Sequence, residues 1–343
     1  MLTVQENVSL KNYNTFRIDV KAKFFVEINN TDEFDELTQS DIRSQYPHVF
    51  LWWGANILFT KSIEGIVIKN SILGKHIIQE DETTVHIKVW SGESRPAFVN
   101  RCVEQWYQWI EKLALIPWTI WASAVGNIGA YGTEVKDIIY EVEYIDTENT
   151  ERKILTNTKC QFAYRESIFK HELKDKAFIT SVIFALCKVK DTTILKQAVT
   201  DIVALRQSKL PDPTQVWTAG SFFKNPIITQ EHFLKLQKTY PNLIGHEQMI
   251  DSRKQETEFW ILSPESWVLN SEFWVKLAAW QLIELCGLKG YRHGKAGVST
   301  QHALVLINTG DCTGQEVREL ADHIISEVKK NFWVTLEPEV IIM

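Results

Sequence analysis

Glycine is scarce in this chain: it supplies 15 of 343 residues, where the usual share of about 7% would give roughly 24. Cysteine is scarcer and shows no pairing pattern. Cys102, Cys160, Cys187, Cys286 and Cys312 are odd in number, widely spaced and without a C-x-x-C pair. That pattern excludes a disulfide framework or a zinc site and points to free thiols in a reducing cytoplasm. No run approaches the ~20 apolar residues of a membrane span, and the first residues lack the basic start and apolar core of a signal peptide. Positive charge is not in excess either. A formal net charge of -6 gives no basic footprint for nucleic acid, although a local cluster such as Arg206 and Lys209 can still hold a phosphate. The nine histidines show no ligand spacing, so no metal is expected. No internal repeat or low-complexity tract occurs.

What is present is a soluble globular composition, 45% hydrophobic and 23% charged. The length calls for two or three subdomains. Tryptophan, at 13 residues, is in excess. Strand-like runs are expected at 23–28, 49–52, 65–69, 84–89, 139–145, 178–187, 303–307 and 334–342. Helical spacing is expected at 31–37, 95–113, 194–208, 230–238, 275–286 and 313–332. The breaker cluster Leu210-Pro211-Asp212-Pro213 reads as a boundary. The mixture predicts an α+β protein.

Three segments can carry chemistry. Residues 115–134, LIPWTIWASAVGNIGAYGTE, place Gly126, Gly129 and Gly132 close together, so that main-chain N–H groups could approach a phosphate or a flavin edge; an ordinary tight turn explains the spacing equally well. Residues 51–59, with Gly54 and Asn56 after a strand, form a weaker loop of the same kind. In Ala219-Gly220-Ser221-Phe222-Phe223-Lys224-Asn225-Pro226, Ser221 could be a poised hydroxyl or a turn residue. Tyr164-Arg165-Glu166 and Leu336-Glu337-Pro338-Glu339-Val340 add a guanidinium and carboxylates, which solvated surface charge would also explain.

Taken together and in order, these segments resemble the MurB family of UDP-N-acetylenolpyruvoylglucosamine reductases along the whole chain. The matching stretches are Asn14-Thr15-Phe16, NIGAYG at 127–132, Tyr164-Arg165, SIFK at 167–170, KLPDP at 209–213, AGSFFKNP at 219–226, KLAA at 276–279 and LEPEV at 336–340. The resemblance implies a two-lobed FAD-binding region of the vanillyl-alcohol-oxidase/PCMH type, residues 1–70 and 71–202. A smaller α+β substrate domain would follow at 203–343, its final strand returning to the active site. It also implies a cytoplasmic, monomeric enzyme that uses NADPH and FAD to reduce UDP-N-acetylglucosamine enolpyruvate to UDP-N-acetylmuramate, delivering a hydride to C3 and a proton to C2.

By the same resemblance, Ser221 is the general acid, while Arg165 and Glu339 stabilise the enolate-like carboxylate. Tyr164, Arg206, Lys209, Asn225 and His302 fall at substrate-binding positions. The cofactor would be met by Trp52, Trp53, Gly54, Ala55, Asn56, Trp118, Trp121, Ala122, Ser123, Gly126, Asn127, Gly129, Ala130, Tyr131 and Gly132.

The chain departs from the family pattern mainly at glycines. Trp52, Trp53, Trp118, Trp121, Trp217 and Trp280 stand where the family has glycine, and further alignments add Trp106, Trp109, Trp274 and Trp333. An indole at 52, 118 or 121 should fill the flavin site, and Trp280 should overpack its helix. The shortage of glycine and surplus of tryptophan suggest UGA codons that the source reads as glycine, written here as tryptophan. The competing readings are a vestigial paralogue without FAD and another flavoprotein of the same fold. Ala55, Gly126, Gln281 and His302 are further departures, and residues 188–193 lack the tyrosine loop that closes some family members over substrate.

Overall fold

The computed structural model describes residues 2–343 except 52, 53, 115, 117, 118, 131, 190, 191, 210–214 and 249–273; at 130, 192, 194, 206–209 and 248 the backbone alone is described. The architecture is α+β. Near the N-terminus, the strands Val4–Ser9, Lys21–Ile28, Ile63–Asn70 and His48–Leu51 lie side by side in that order. The first pair is antiparallel and the others parallel. Lys21–Ile28 is buried on both faces. Phe24, Val26 and Ile28 enter one core while Phe25 enters another, the alternation expected of a strand with both faces covered.

The second sheet is antiparallel, in the order Arg152–Thr156, Ile139–Asp146, Ala177–Lys188, Thr84–Trp90 and Lys75–Glu80. The short strand Tyr107–Gln108 pairs with the end of Ala177–Lys188. Val26, Phe50, Ile66 and Ile68 of the first sheet share one core with Val89, Val142, Phe178 and Phe184 of the second. The helix Ile120–Gly126 fills that core with Trp121, 2% exposed, between Phe50 and Phe178 at ring separations of 5.2 and 5.0 Å.

In the C-terminal part, Trp217–Ser221, Val305–Asn308, Ala296–Val298 and Arg292–His293 form a further sheet. The helix Gly314–Phe332 closes on this part with Val317, Leu320, Ile324 and Val328. Phe16 and Ile18 from the other end of the chain sit in the same core. The chain then returns: Ile341–Ile342 pairs in parallel with Ile57–Leu58.

Three expected elements differ. The helical spacing at 95–113 yields only Arg95–Glu104, followed by the strand Tyr107–Gln108 and the 3-10 turn Glu111–Leu113. The positive φ values of Trp106 (68°) and Trp109 (81°) end the helix and each side of the strand. The helix expected at 275–286 is a strand, Trp274–Leu277, and then a short helix, Ala279–Leu285. The strand expected at 334–342 is paired only at Ile341–Ile342 and at a Phe223–Pro338 bridge, because Pro338 has no N–H to give a ladder. The breaker cluster at 210–213 lies outside the described residues.

Candidate functional site

Five stretches far apart in sequence converge: 54–56, 127–134 without 131, 163–170, 221–225 and 337–341. Their meeting point is the Arg165–Glu339 pair. Arg165 occupies the tip of a tight turn closed by reciprocal Ala163–Glu166 hydrogen bonds of 3.0 and 3.1 Å, with φ of 59°. A turn with positive φ at its second central residue normally takes glycine. Here an arginine is held there by several contacts. Its Nη2 donates to the Gly129 carbonyl at 2.9 Å, Lys170 Nζ donates to its carbonyl at 2.6 Å, and its Nε lies 2.9 Å from Glu339 Oε1. Strain so over-determined is characteristic of functional positions. Nε is buried and not aligned for a straight hydrogen bond with Glu339, so that contact is an ion pair.

Glu339 is placed from both sides. Its N–H donates to Phe222 O at 2.8 Å, and its carbonyl accepts from Asn56 Nδ2 at 3.1 Å. Lys224 fixes the neighbouring segment by bridging Glu166 at 2.6 Å and Glu337 at 3.5 Å. Ser221 ends its strand just past a register shift in the ladder, where Gly220 takes φ of 78°. Such a bulge re-aims the next side chain. The half-buried Ser221 hydroxyl has no hydrogen-bond partner among the described residues. The Asn225 N–H donates to the Tyr164 hydroxyl, and burial raises that phenol's pKa. Asn225 Oδ1 accepts from Ala279 N at 3.0 Å, capping the short helix. His302 Nδ1 accepts from Leu304 N at 3.2 Å, and its ring lies 6.3 Å from that of Trp280.

Sequence reasoning did not single out Lys276. Its Nζ stands 3.2 Å from the Tyr164 ring centroid, a cation–π contact. Burial, then the nearby Arg165 charge, push its pKa down to about 8. Only its membership of the KLAA stretch hinted at it.

The expected cofactor residues divide. Gly54 (φ 70°) is pressed so closely on Tyr13 and Asn14 that a Cβ would overlap Tyr13 O, and its carbonyl accepts from Thr15 N at 2.9 Å. Asn127 and Ser123 are consumed internally. Asn127 Nδ2 donates to Glu134 and Ala163 O, its Oδ1 accepts from Lys136 N, and Ser123 Oγ donates to Thr119 O. Gly126 closes the helix, Gly129 packs on Thr133 and Glu134, and Gly132 (φ 78°) faces open space. Ala55 and Ala122 are buried.

Trp121 is a core residue, not a groove-lining one. Trp280 is only partly buried on its helix, so the expected overpacking there does not occur. Trp217 starts an ordinary strand opposite Asn308. Trp52, Trp53, Trp118 and Tyr131 lie outside the described residues, as do the side chains of Ala130, Arg206 and Lys209. Among the described residues, the buried polar atoms without a partner include Asn56 Oδ1, next to the Gly54 turn, and Ser91 Oγ. A buried orphan such as Asn56 Oδ1, in a tight glycine loop, fits a polar dinucleotide. Among the described residues no cluster of metal ligands occurs and no helix is long and apolar enough to cross a membrane.

A family model for the C-terminal domain of UDP-N-acetylenolpyruvoylglucosamine reductase matches residues 212–343. The UDP-N-acetylenolpyruvoylglucosamine reductase of Flavobacterium johnsoniae is 37% identical over 359 aligned residues, covering 99% of either chain. That of Aliivibrio fischeri is 36% identical, covering 97% of this chain and 93% of its own. The crystal structure of MurB from Thermus caldophilus superposes with a TM-score of 0.70 at 19% identity, covering 100% of this chain and 99% of that one. This last likeness is one of fold.

Proposed function

The chain belongs to the UDP-N-acetylenolpyruvoylglucosamine reductase family, and from that premise we propose that it reduces UDP-N-acetylglucosamine enolpyruvate to UDP-N-acetylmuramate with NADPH, as a monomer in the cytoplasm. We take residues 1–70 and 71–202 as its two cofactor lobes and 203–343 as its substrate domain. The observation that carries the reading is the Arg165–Glu339 pair at 2.9 Å, near a Ser221 hydroxyl that has no partner among the described residues.

FAD, when bound, supplies the hydride relay between nicotinamide and substrate; the Gly54–Asn56 loop, Ser91 and the paired strands Gly129–Ala130 and Thr133–Glu134 are the residues that would hold it. The rest is done by side chains of this chain. Reduction of an enolpyruvyl group at C3 throws charge onto its carboxylate. A guanidinium already locked in place by Gly129 O and Glu339 stabilises that charge without reorganising. Ser221, free of other partners among the described residues, can give its proton to C2 and recover one from solvent. Tyr164, Asn225, His302 and Lys276 border the site and suit an anionic sugar nucleotide; Arg206 and Lys209 are proposed for the same ligand on the family resemblance alone.

The test pairs a visible absorption spectrum with turnover, on the chain as written and on a form with glycine at 52, 53, 118, 121, 217 and 280. A yellow protein whose NADPH oxidation depends on the enolpyruvyl UDP-sugar is expected. In that protein Ser221→Ala should lower kcat by about 10²–10⁴ while KM changes little. A yellow protein indifferent to the UDP-sugar would point to another flavoprotein activity, and two colourless proteins to a vestigial one.

A further inference from the structure

We infer that the working protein carries glycine at positions 106, 109 and 333, the codon written there as tryptophan being one that its source reads as glycine. The inference rests on the backbone and is independent of the substrate proposed above. Trp106, Trp109 and Trp333 have φ of 68°, 81° and 57°. A bulky residue in the left-handed region is an outlier, whereas glycine enters it freely. The other described non-glycine residues with positive φ are Asn7, Arg17, Asn127, Thr150, Gln161, Arg165, Asp175 and Asp311. All of them are polar, and Asn and Asp tolerate the region through local hydrogen bonds. Tryptophan is the one apolar type among them.

The three indoles gain nothing that would offset the strain. They are 47%, 49% and 84% exposed, and none makes a hydrogen bond or ring contact among the described residues. The backbones, by contrast, are fixed. Trp333 N donates to Lys329 O at 2.9 Å, closing the helix Gly314–Phe332 in a left-handed cap, the place where glycine is strongly enriched. Trp106 N donates to Val103 O at 3.1 Å, just past the helix Arg95–Glu104, and its carbonyl accepts from Val189 N at 3.0 Å. The strand Tyr107–Gln108, paired with Cys187 and Lys188, lies between Trp106 and Trp109. The fold demands the conformation at each site, and the written side chain opposes it. The described Trp90, Trp121, Trp217, Trp274 and Trp280 do not have positive φ, so this argument leaves them aside.

The turns also position the site. Residues 106 and 109 set the path into the 115–134 segment, and 333 turns the chain from the last long helix toward Glu339.

The experiment is to sequence the gene and map peptides of the protein from its source. The tryptic peptides 102–112 and 331–343 contain all three positions. UGA codons at 106, 109 and 333 with glycine masses in both peptides are expected; UGG codons, or tryptophan masses, overturn the inference. A second measurement addresses the physical premise in the recombinant chain. The triple variant W106G/W109G/W333G should melt above both the written chain and W106A/W109A/W333A, since alanine removes the indole but keeps the Cβ that opposes positive φ. If the alanine form melts as high as the glycine form, the backbone premise fails and the inference with it.

Discussion

A single side chain decides how the site responds to pH. Lys276 faces Tyr164, Arg165, Glu134 and Glu339, and burial lowers its pKa to about 8 from an ordinary 10.5. At neutral pH it is a cation next to a position suited to an anionic ligand; through pH 8 that charge is lost. The KM for the UDP-sugar should therefore rise as pH passes about 8, with kcat less affected, in steady-state assays. Lys276→Arg, whose guanidinium stays charged, should lack the step. The stability effect has the opposite direction. The folded state gives up this proton before the unfolded chain does, so Lys276 contributes stability that grows from about pH 8 toward 10.5. A KM that stays flat across pH 8 would show that this cation does not meet the ligand. Arg165 and Glu339 could be named from motif resemblance; Lys276 could not, because its role comes from a neighbour more than a hundred residues away.

Elements were legible where local chemistry and packing agree. The helix at 313–332 is the clearest instance. Thr313 Oγ1 accepts from Glu316 N at 3.2 Å and Glu316 Oε2 accepts from Thr313 N at 2.7 Å, a capping box, and apolar residues recur at helical spacing behind it. Thr313→Ala should cost about 1 kcal/mol, read as a lower urea midpoint. The Thr313 N–H, with that of Lys295, also holds the Glu316 carboxyl down to about 2. Its contribution is thus present above the ordinary carboxylate range and lost as pH falls toward 2. Thr313→Ala keeps both backbone donors and removes only the hydroxyl's 2.9 Å bond to the Glu316 carboxyl, so the acid-induced loss of stability should persist in the variant; its disappearance would mean that the hydroxyl, not the backbone, holds the carboxyl down.

Elements were misread where one residue overrides its surroundings. Residues 95–113 keep helical spacing, yet Trp106 and Trp109 take a conformation no helix contains. The stretch 275–286 keeps an apolar pattern, yet its first residues are captured by the strands Ile227–Thr229 and Gly245–Gln248.

At the scale of the whole molecule, the site exists because the two ends of the chain are tied together, and no local pattern announces that. The return of Ile341–Ile342 to Ile57–Leu58 and the burial of Phe16 among C-terminal residues are both long-range events. Asn308, 5% exposed, is the tie that can be cut cleanly. Its Nδ2 donates to Phe16 O at 2.7 Å, while its Oδ1 accepts from Gly310 N at 2.9 Å and Cys312 N at 3.2 Å. Asn308→Ala leaves these buried groups unpaired, at a cost of about 1–3 kcal/mol.

If the ends are coupled through this residue, hydrogen exchange should speed up together at residues 15–18 and 308–312, two stretches joined by nothing in the sequence. The loosening should reach the site as well, because Thr15 holds the Gly54 loop through its N–H, and the neighbouring Asn56 holds the Glu339 carbonyl. Faster exchange confined to 308–312 would mean that Asn308 shapes only its own turn. The coupling of the two ends would then rest on the apolar contacts of Phe16 and Ile18.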